Sequence, residues 1–170
     1  MNPESVRTLF SYNYWAFERV WNCIHQLTDE QFTQSVDYSR GSIRNQVVHL
    51  MSATQRWMLR LQRAPMAERM AFEDFPDLVT TKTKWDELRD ETMNYVTRLT
   101  QDQLDEVVPW ELADRGIATK NRRWEILLHV ANHGTDHRAQ ILAILNQHFG
   151  IQTVEQDMIL YLTEPQEKRA

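Results

Sequence analysis

Apolar side chains return every three or four positions along most of this sequence, the period of an α-helix with one buried face. Val6, Phe10, Tyr14, Phe17, Val20, Trp21 and Ile24 set out the first such stripe. Asn2 stands where an N-cap belongs, with Pro3 at the first helical position and Glu4 in the first turn, so the spacing predicts a helix to about His25. After the break SRGS, Ser42 is placed to cap a second helix. Ile43, Val47, Leu50, Thr54, Trp57, Met58 and Leu61 recur along it, and it ends before Pro65. Trp85, Leu88, Tyr95, Val96 and Leu99 predict a third helix over about 83–99, with acids and bases on its other side. A fourth spans about 123–147 and stops at Gly150; a short fifth, over about 153–162, carries Met158, Ile159 and Tyr161.

Four Gly and five Pro in 170 residues leave few of the turns that an all-β chain needs, so the expected class is all-α. LTDEQF (27–32) follows the first helix and LTQDQL (99–104) the third, each with Thr and Gln at capping-box spacing. Each precedes a loop and then a histidine-bearing helix. Two helical hairpins forming a four-helix bundle would account for this echo.

A chain of this length suits one domain, over 1–170. Nineteen Lys plus Arg against 24 Asp plus Glu give a formal charge of -5 with no dense cationic block, which argues against nucleic acid as a partner. No apolar run approaches the ~18 to 20 residues that cross a bilayer. A lone cysteine, Cys23, forms no internal disulfide, and MNPESVRTLF lacks the features of a secretory signal, so a cytoplasmic location is expected.

The stretch LLHVANHGTDHRAQIL then stands out, because His129, His133 and His137 lie four apart within it. Residues four apart on a helix are stacked one turn above another, so His133 and His137 can aim at one point. At about 100° per residue, Trp124, Leu127, Leu128, Ala131, Leu142 and Leu145 form one apolar stripe. Ile126, Val130, Ile141 and Ile144 share the opposite side with the two histidines. Imidazoles among aliphatic residues are costly unless their nitrogens are satisfied, and a divalent cation satisfies them. Such sites take at least three protein ligands, and His49 in VVHLMSA is the best third donor. His49 points away from the centre of its helix's apolar stripe, which places the site on the wall of a cleft.

SYNYWAFERVW, GSIRNQVVHLMSA, WEILLHVANHGTDHRAQI and DMILYL together resemble the DinB/YfiT-like family of metalloenzymes over nearly the whole chain, most specifically in the fourth-helix segment. The resemblance implies an up-down-down-up four-helix bundle, often a homodimer. It also implies a divalent metal held by one His of the second helix and an H-x3-H pair of the fourth, here His49, His133 and His137. His129 falls at a position that is often His in such proteins without being one of the usual three, and is expected in the cleft wall or behind the ligands. The wider superfamily includes thiol-dependent S-transferases and a mycothiol-dependent isomerase.

Three neutral imidazoles leave a cation its full charge and an open position, which suits catalysis. Zn²⁺, Ni²⁺, Mn²⁺, Co²⁺ and Fe²⁺ all accept such a set. The leading expectation is S-transfer from a low-molecular-weight thiol to a small electrophile. The alternatives are metal-hydroxide hydrolysis and a non-catalytic, stress-related metal or small-molecule binder. Gly134 occupies the position where H-E-x-x-H peptidases carry their Glu, which lowers that option. Asp136 and Glu125 face other directions. Asn45 and Asn132 are candidate donors to ligands or substrate, Arg138 is expected to pair with an acid, and Cys23, Trp15, Trp57 and Trp124 are expected in the core. His25 and His148, near helix ends, fit as partners of the C-terminal dipole.

Overall fold

A computed structural model describes residues 1–165. Seven α-helices lie among the described residues: α1 (Pro3–Ile24), α2 (Asp29–Thr33), α3 (Ile43–Leu61), α4 (Leu78–Thr97), α5 (Gln101–Asp105), α6 (Arg123–Phe149) and α7 (Met158–Thr163). The caps that start them are local chemistry. Asn2 Oδ1 accepts from the Ser5 amide at 2.8 Å, Ser42 Oγ from Asn45 at 3.0 Å and Asp77 Oδ1 from Thr80 at 2.7 Å, each bond worth about 1 kcal/mol to its helix. The two echo segments are the short helices α2 and α5, with complete capping boxes Thr28/Gln31 and Thr100/Gln103.

Three expectations need correction. The third predicted helix begins at Leu78, because the Asp77 cap starts it five residues before the apolar spacing becomes regular. The C-terminal helix is shorter than predicted; residues 151–157 run without regular structure along α1, where Gln156 O accepts from Tyr12 at 2.8 Å and Glu155 O from Arg19 at 3.1 Å. The fold is mostly helical and not all-α: β1 (Val107–Leu112) and β2 (Ile117–Arg122) form an antiparallel hairpin. Val107, Val108 and Trp110 are good strand formers, and burial alternates along β1. Gly116, at φ 64°, closes the hairpin tip in a conformation few other residues tolerate.

The four long helices contact one another in the pairs α1–α6, α3–α6, α1–α4 and α3–α4. Two apolar clusters fill the space between them. One centres on Phe17, Trp21, Val47, Trp85 and Ile141, the other on Phe10, Leu61, Val96, Leu104 and Leu127. Each such fully buried side chain contributes about 1.5–3 kcal/mol. On α6, Leu127, Ala131, Leu142 and Leu145 are buried as predicted, as are Ile126, Val130, Ile141 and Ile144, whereas Leu128 is exposed. Cys23 is buried and unpaired, as expected.

Two features fix the position of the site. First, α3 and α6 run antiparallel: Leu61 O accepts from Arg123, Trp57 lies 5.2 Å from His129 between ring centroids, and His49 lies 4.8 Å from His137. Second, α6 meets α1 across Gly134, where an added Cβ would come within 2.7 Å of Asn13 Oδ1. That close approach lets Asn13 reach Arg138, which is fully buried. Arg138 donates to Gln156 Oε1 at 2.7 Å, to Thr135 Oγ1 at 2.9 Å and to both Asn13 oxygens, and it lies over the Phe17 ring. The expected acidic partner is absent among the described residues; amide and hydroxyl oxygens take its place.

Candidate metal centre

α3 supplies His49, and α6 supplies His133 and His137 from successive turns. One ring nitrogen of each lies within 4.8 Å of the others. His133 and His137 are closest, with their Nε2 atoms 3.1 Å apart and facing each other. That separation suits a shared proton or two ligands of one tetrahedral cation, whose bonds of about 2.0–2.1 Å place donors a little over 3 Å apart. His137 is buried, while His49 and His133 are half-buried and line the cleft wall, as the direction of His49 on its helix predicts.

The tautomer of His137 follows from its neighbour. Its Nδ1 lies 2.6 Å from Gln46 Oε1, which can only accept, so Nδ1 carries the proton and Nε2 keeps its lone pair. Gln46 is itself held: its Nε2 donates to Gln140 Oε1 at 2.9 Å, and the same oxygen accepts from Ser39 at 2.5 Å. This chain of bonds orients the imidazole as an outer shell orients a metal-ligating histidine.

Electrostatics keep the rings neutral. Burial, followed by the charge of Arg40, pulls His49 down to about 3. Burial and the neighbouring His137 pull His133 down to about 4. His137 is lowered mainly by burial, against the opposing pull of Asp136. All three therefore offer lone pairs at neutral pH, the form that binds a cation. Arg40 Nη2 donates to His49 Nε2 at 3.2 Å, so a guanidinium stands at the edge of the cluster. The donor set of three neutral imidazoles, with one tautomer fixed, fits a divalent ion.

His49 and His133 open onto a cleft of about 520 Å³, with His137 buried behind them, a volume within the range of small-molecule sites. Its walls are the outward face of α3, the N-terminal half of α6 and the hairpin tip at 112–115. Trp57 and Trp110, edge to face at 5.3 Å, brace the hairpin against α3.

The family model described as "DinB family" matches residues 1–169. The chain belongs to the DinB family. It is 28% identical over 159 residues to Protein DinB of Bacillus subtilis (strain 168), covering 91% of each chain. The fold is also that of a DinB-like protein from Bacillus cereus ATCC 10987, a crystal structure matched with a TM-score of 0.58 at 18% identity, over 84% of this chain and 91% of that one.

In this DinB-family chain, the structure brings His49, His133 and His137 together and leaves His129 outside the cluster. His129 stands exposed on the cleft wall, 5.9 Å from His133 and edge-on to Trp57. Trp57 is buried in the core, as expected, and also lines the cleft. Asn45 bonds Arg40 O and Arg44, and Asn132 is exposed, so the amide that holds a site histidine is Gln46 instead. Glu125 caps α6 at Arg122 and Asn121, and Asp136 is exposed, in keeping with their expected directions. The sequence gives one signal for Gln46: it lies three residues before His49, on the same side of the helix.

Proposed function

We propose that this protein is a divalent-metal-dependent enzyme that transfers a low-molecular-weight thiol to a small electrophile, with His49, His133 and His137 as the metal ligands. The observation carrying this reading is the set of three neutral, convergent imidazoles at the wall of a cleft large enough for a substrate. A bound ion would supply Lewis acidity, making a thiol or water nucleophilic at neutral pH. The chain's residues do the rest. Gln46 holds the His137 lone pair toward the cleft, the aliphatic residues of α6 limit water behind the rings, and the hairpin tip and Trp57 enclose the substrate. In the transfer, sulfur bonds to the electrophilic carbon, the leaving group departs with its electron pair, and the thiol proton passes to solvent.

We read the four long helices as one up-down-down-up bundle forming a single domain. In support, α6 lies antiparallel to α3, while Arg7 at the start of α1 reaches Thr97 O at the end of α4. The homodimer implied by family resemblance is part of the same proposal, and light scattering tests it.

The functional test is turnover. Protein loaded with Zn²⁺, Ni²⁺, Mn²⁺ or Fe²⁺ is incubated with glutathione, bacillithiol or mycothiol and a chromogenic electrophile. Metal-dependent S-conjugate formation is the expected result. Metal-dependent ester hydrolysis without any conjugate would replace transferase with hydrolase, and binding without turnover would leave a metal-binding protein.

A further inference from the structure

The chain is acidic overall, at -5, yet the cleft is not. Arg40, Arg56, Arg60, Arg69 and Arg115 line it, against one acid, Asp114. Among the described residues, only Arg69 of the five has a carboxylate at ion-pair distance, Asp114 at 2.5 Å, and both of those side chains are more than half exposed. Arg40, Arg56 and Arg60 are positioned by neutral groups, Arg40 by the His49 ring. Arg56 donates to Ala67 O, and Arg60 donates to Glu111 O at 3.2 Å while lying over the Trp57 ring at 4.9 Å. A guanidinium has five donors, so bonds of this kind orient each fork and leave most of it available. Burial, followed by the positive charge of Arg56, pulls the Arg60 guanidinium below its usual range.

We infer that this cleft binds a small molecule carrying two or more anionic groups, carboxylates or phosphates, laid along α3 with one end at the histidine cluster. The placement follows from helix geometry. Arg56 lies seven residues beyond His49 and Arg60 eleven, which at 1.5 Å per residue puts them about 10 and 16 Å along the axis. Arg40 stands beside His49 itself. One end of an extended molecule thus meets the histidines and Arg40, and the other meets Arg56 and Arg60, while Arg69 and Arg115 complete the lining. All five cations are arginines, whose planar forks match the two oxygens of a carboxylate or phosphate edge. A volume of about 520 Å³ fits a metabolite-sized ligand.

This inference adds a ligand class to the proposed metal centre, and it is tested apart from that centre. Citrate and pyrophosphate are titrated by calorimetry at low ionic strength into the full chain stripped of metal. Saturable one-to-one binding of at least one probe is expected, weakening with added salt. Arg56→Gln/Arg60→Gln should weaken it at least tenfold, and the corresponding double Lys variant less. Arg19→Gln/Arg98→Gln removes the same charge elsewhere and should stay within twofold of the parent. Citrate binding alone would assign carboxylates and pyrophosphate binding alone phosphates. No saturation by either probe, or equal losses in the two Gln double variants, would overturn the inference. Tighter cleft-dependent binding of a single-stranded oligonucleotide would overturn it too. His133→Ala separates the two readings: it should lose metal and keep the anion, so anion binding without metal binding in the parent would fault the metal reading alone.

Discussion

Helix α6 carries two polar clusters, one residue apart in register, and they have opposite fates. His133 and His137 face α3 and the cleft; Gly134 and Arg138 face α1. The Arg138 donors are spent on Asn13, Gln156 and Thr135, and burial of the guanidinium pulls its pKa down to about 10 and still leaves it charged at neutral pH. The histidine pair has one nitrogen fixed by Gln46 and two Nε2 atoms aimed at each other beside open space. Burial alone does not separate them, since His137 and Arg138 are both buried. What separates a structural polar cluster from a functional one here is whether its hydrogen-bonding capacity is already used.

That contrast can be broken from either side. The largest effect belongs to His133→Ala or His137→Ala, each expected to weaken metal binding at least a thousandfold, about 4 kcal/mol, measured by metal analysis and competition titration of untagged protein. Arg138→Ala should retain the metal yet lower unfolding free energy by about 3 kcal/mol in urea, through lost packing and stranded amide oxygens. Gln46→Leu removes the His137 Nδ1 acceptor and should cost 10- to 100-fold in metal affinity, roughly 1.4–2.7 kcal/mol, with Gln46→Glu restoring most of it. Gly134→Ala is the smallest change. An exposed helical Gly→Ala stabilises by about 1 kcal/mol, but here the new methyl meets Asn13 Oδ1, and a loss of about 1–2 kcal/mol with unchanged metal content is expected.

The helices were legible in the sequence wherever an apolar stripe and a cap coincided, as with Asn2 and the stripe from Val6 to Ile24. The start of α4 was hidden because residues 78–84 are mostly Thr and Lys, and only the Asp77 cap marks them. The hairpin was missed because β1 and β2 are six residues each, and most of their side chains are exposed. The histidine cluster was legible because its spacing is helical and short-range. The arginines were not: Arg40, Arg69 and Arg115 come from three separate connections, and only folding gathers them beside α3. The sequence does not show which of the two neighbouring amides, Asn45 or Gln46, turns inward to His137.

The central claim, that His49, His133 and His137 bind one cation between them, is tested most directly by anomalous diffraction from crystals soaked in Zn²⁺ or Ni²⁺. The account predicts one peak per chain with a ring nitrogen of each histidine about 2.0–2.2 Å away, the Gln46 bond to His137 kept, and Arg40 displaced from any His49 nitrogen that binds the ion. A peak elsewhere, or three rings left as they stand with Arg40 still on His49 at saturating metal, would contradict it.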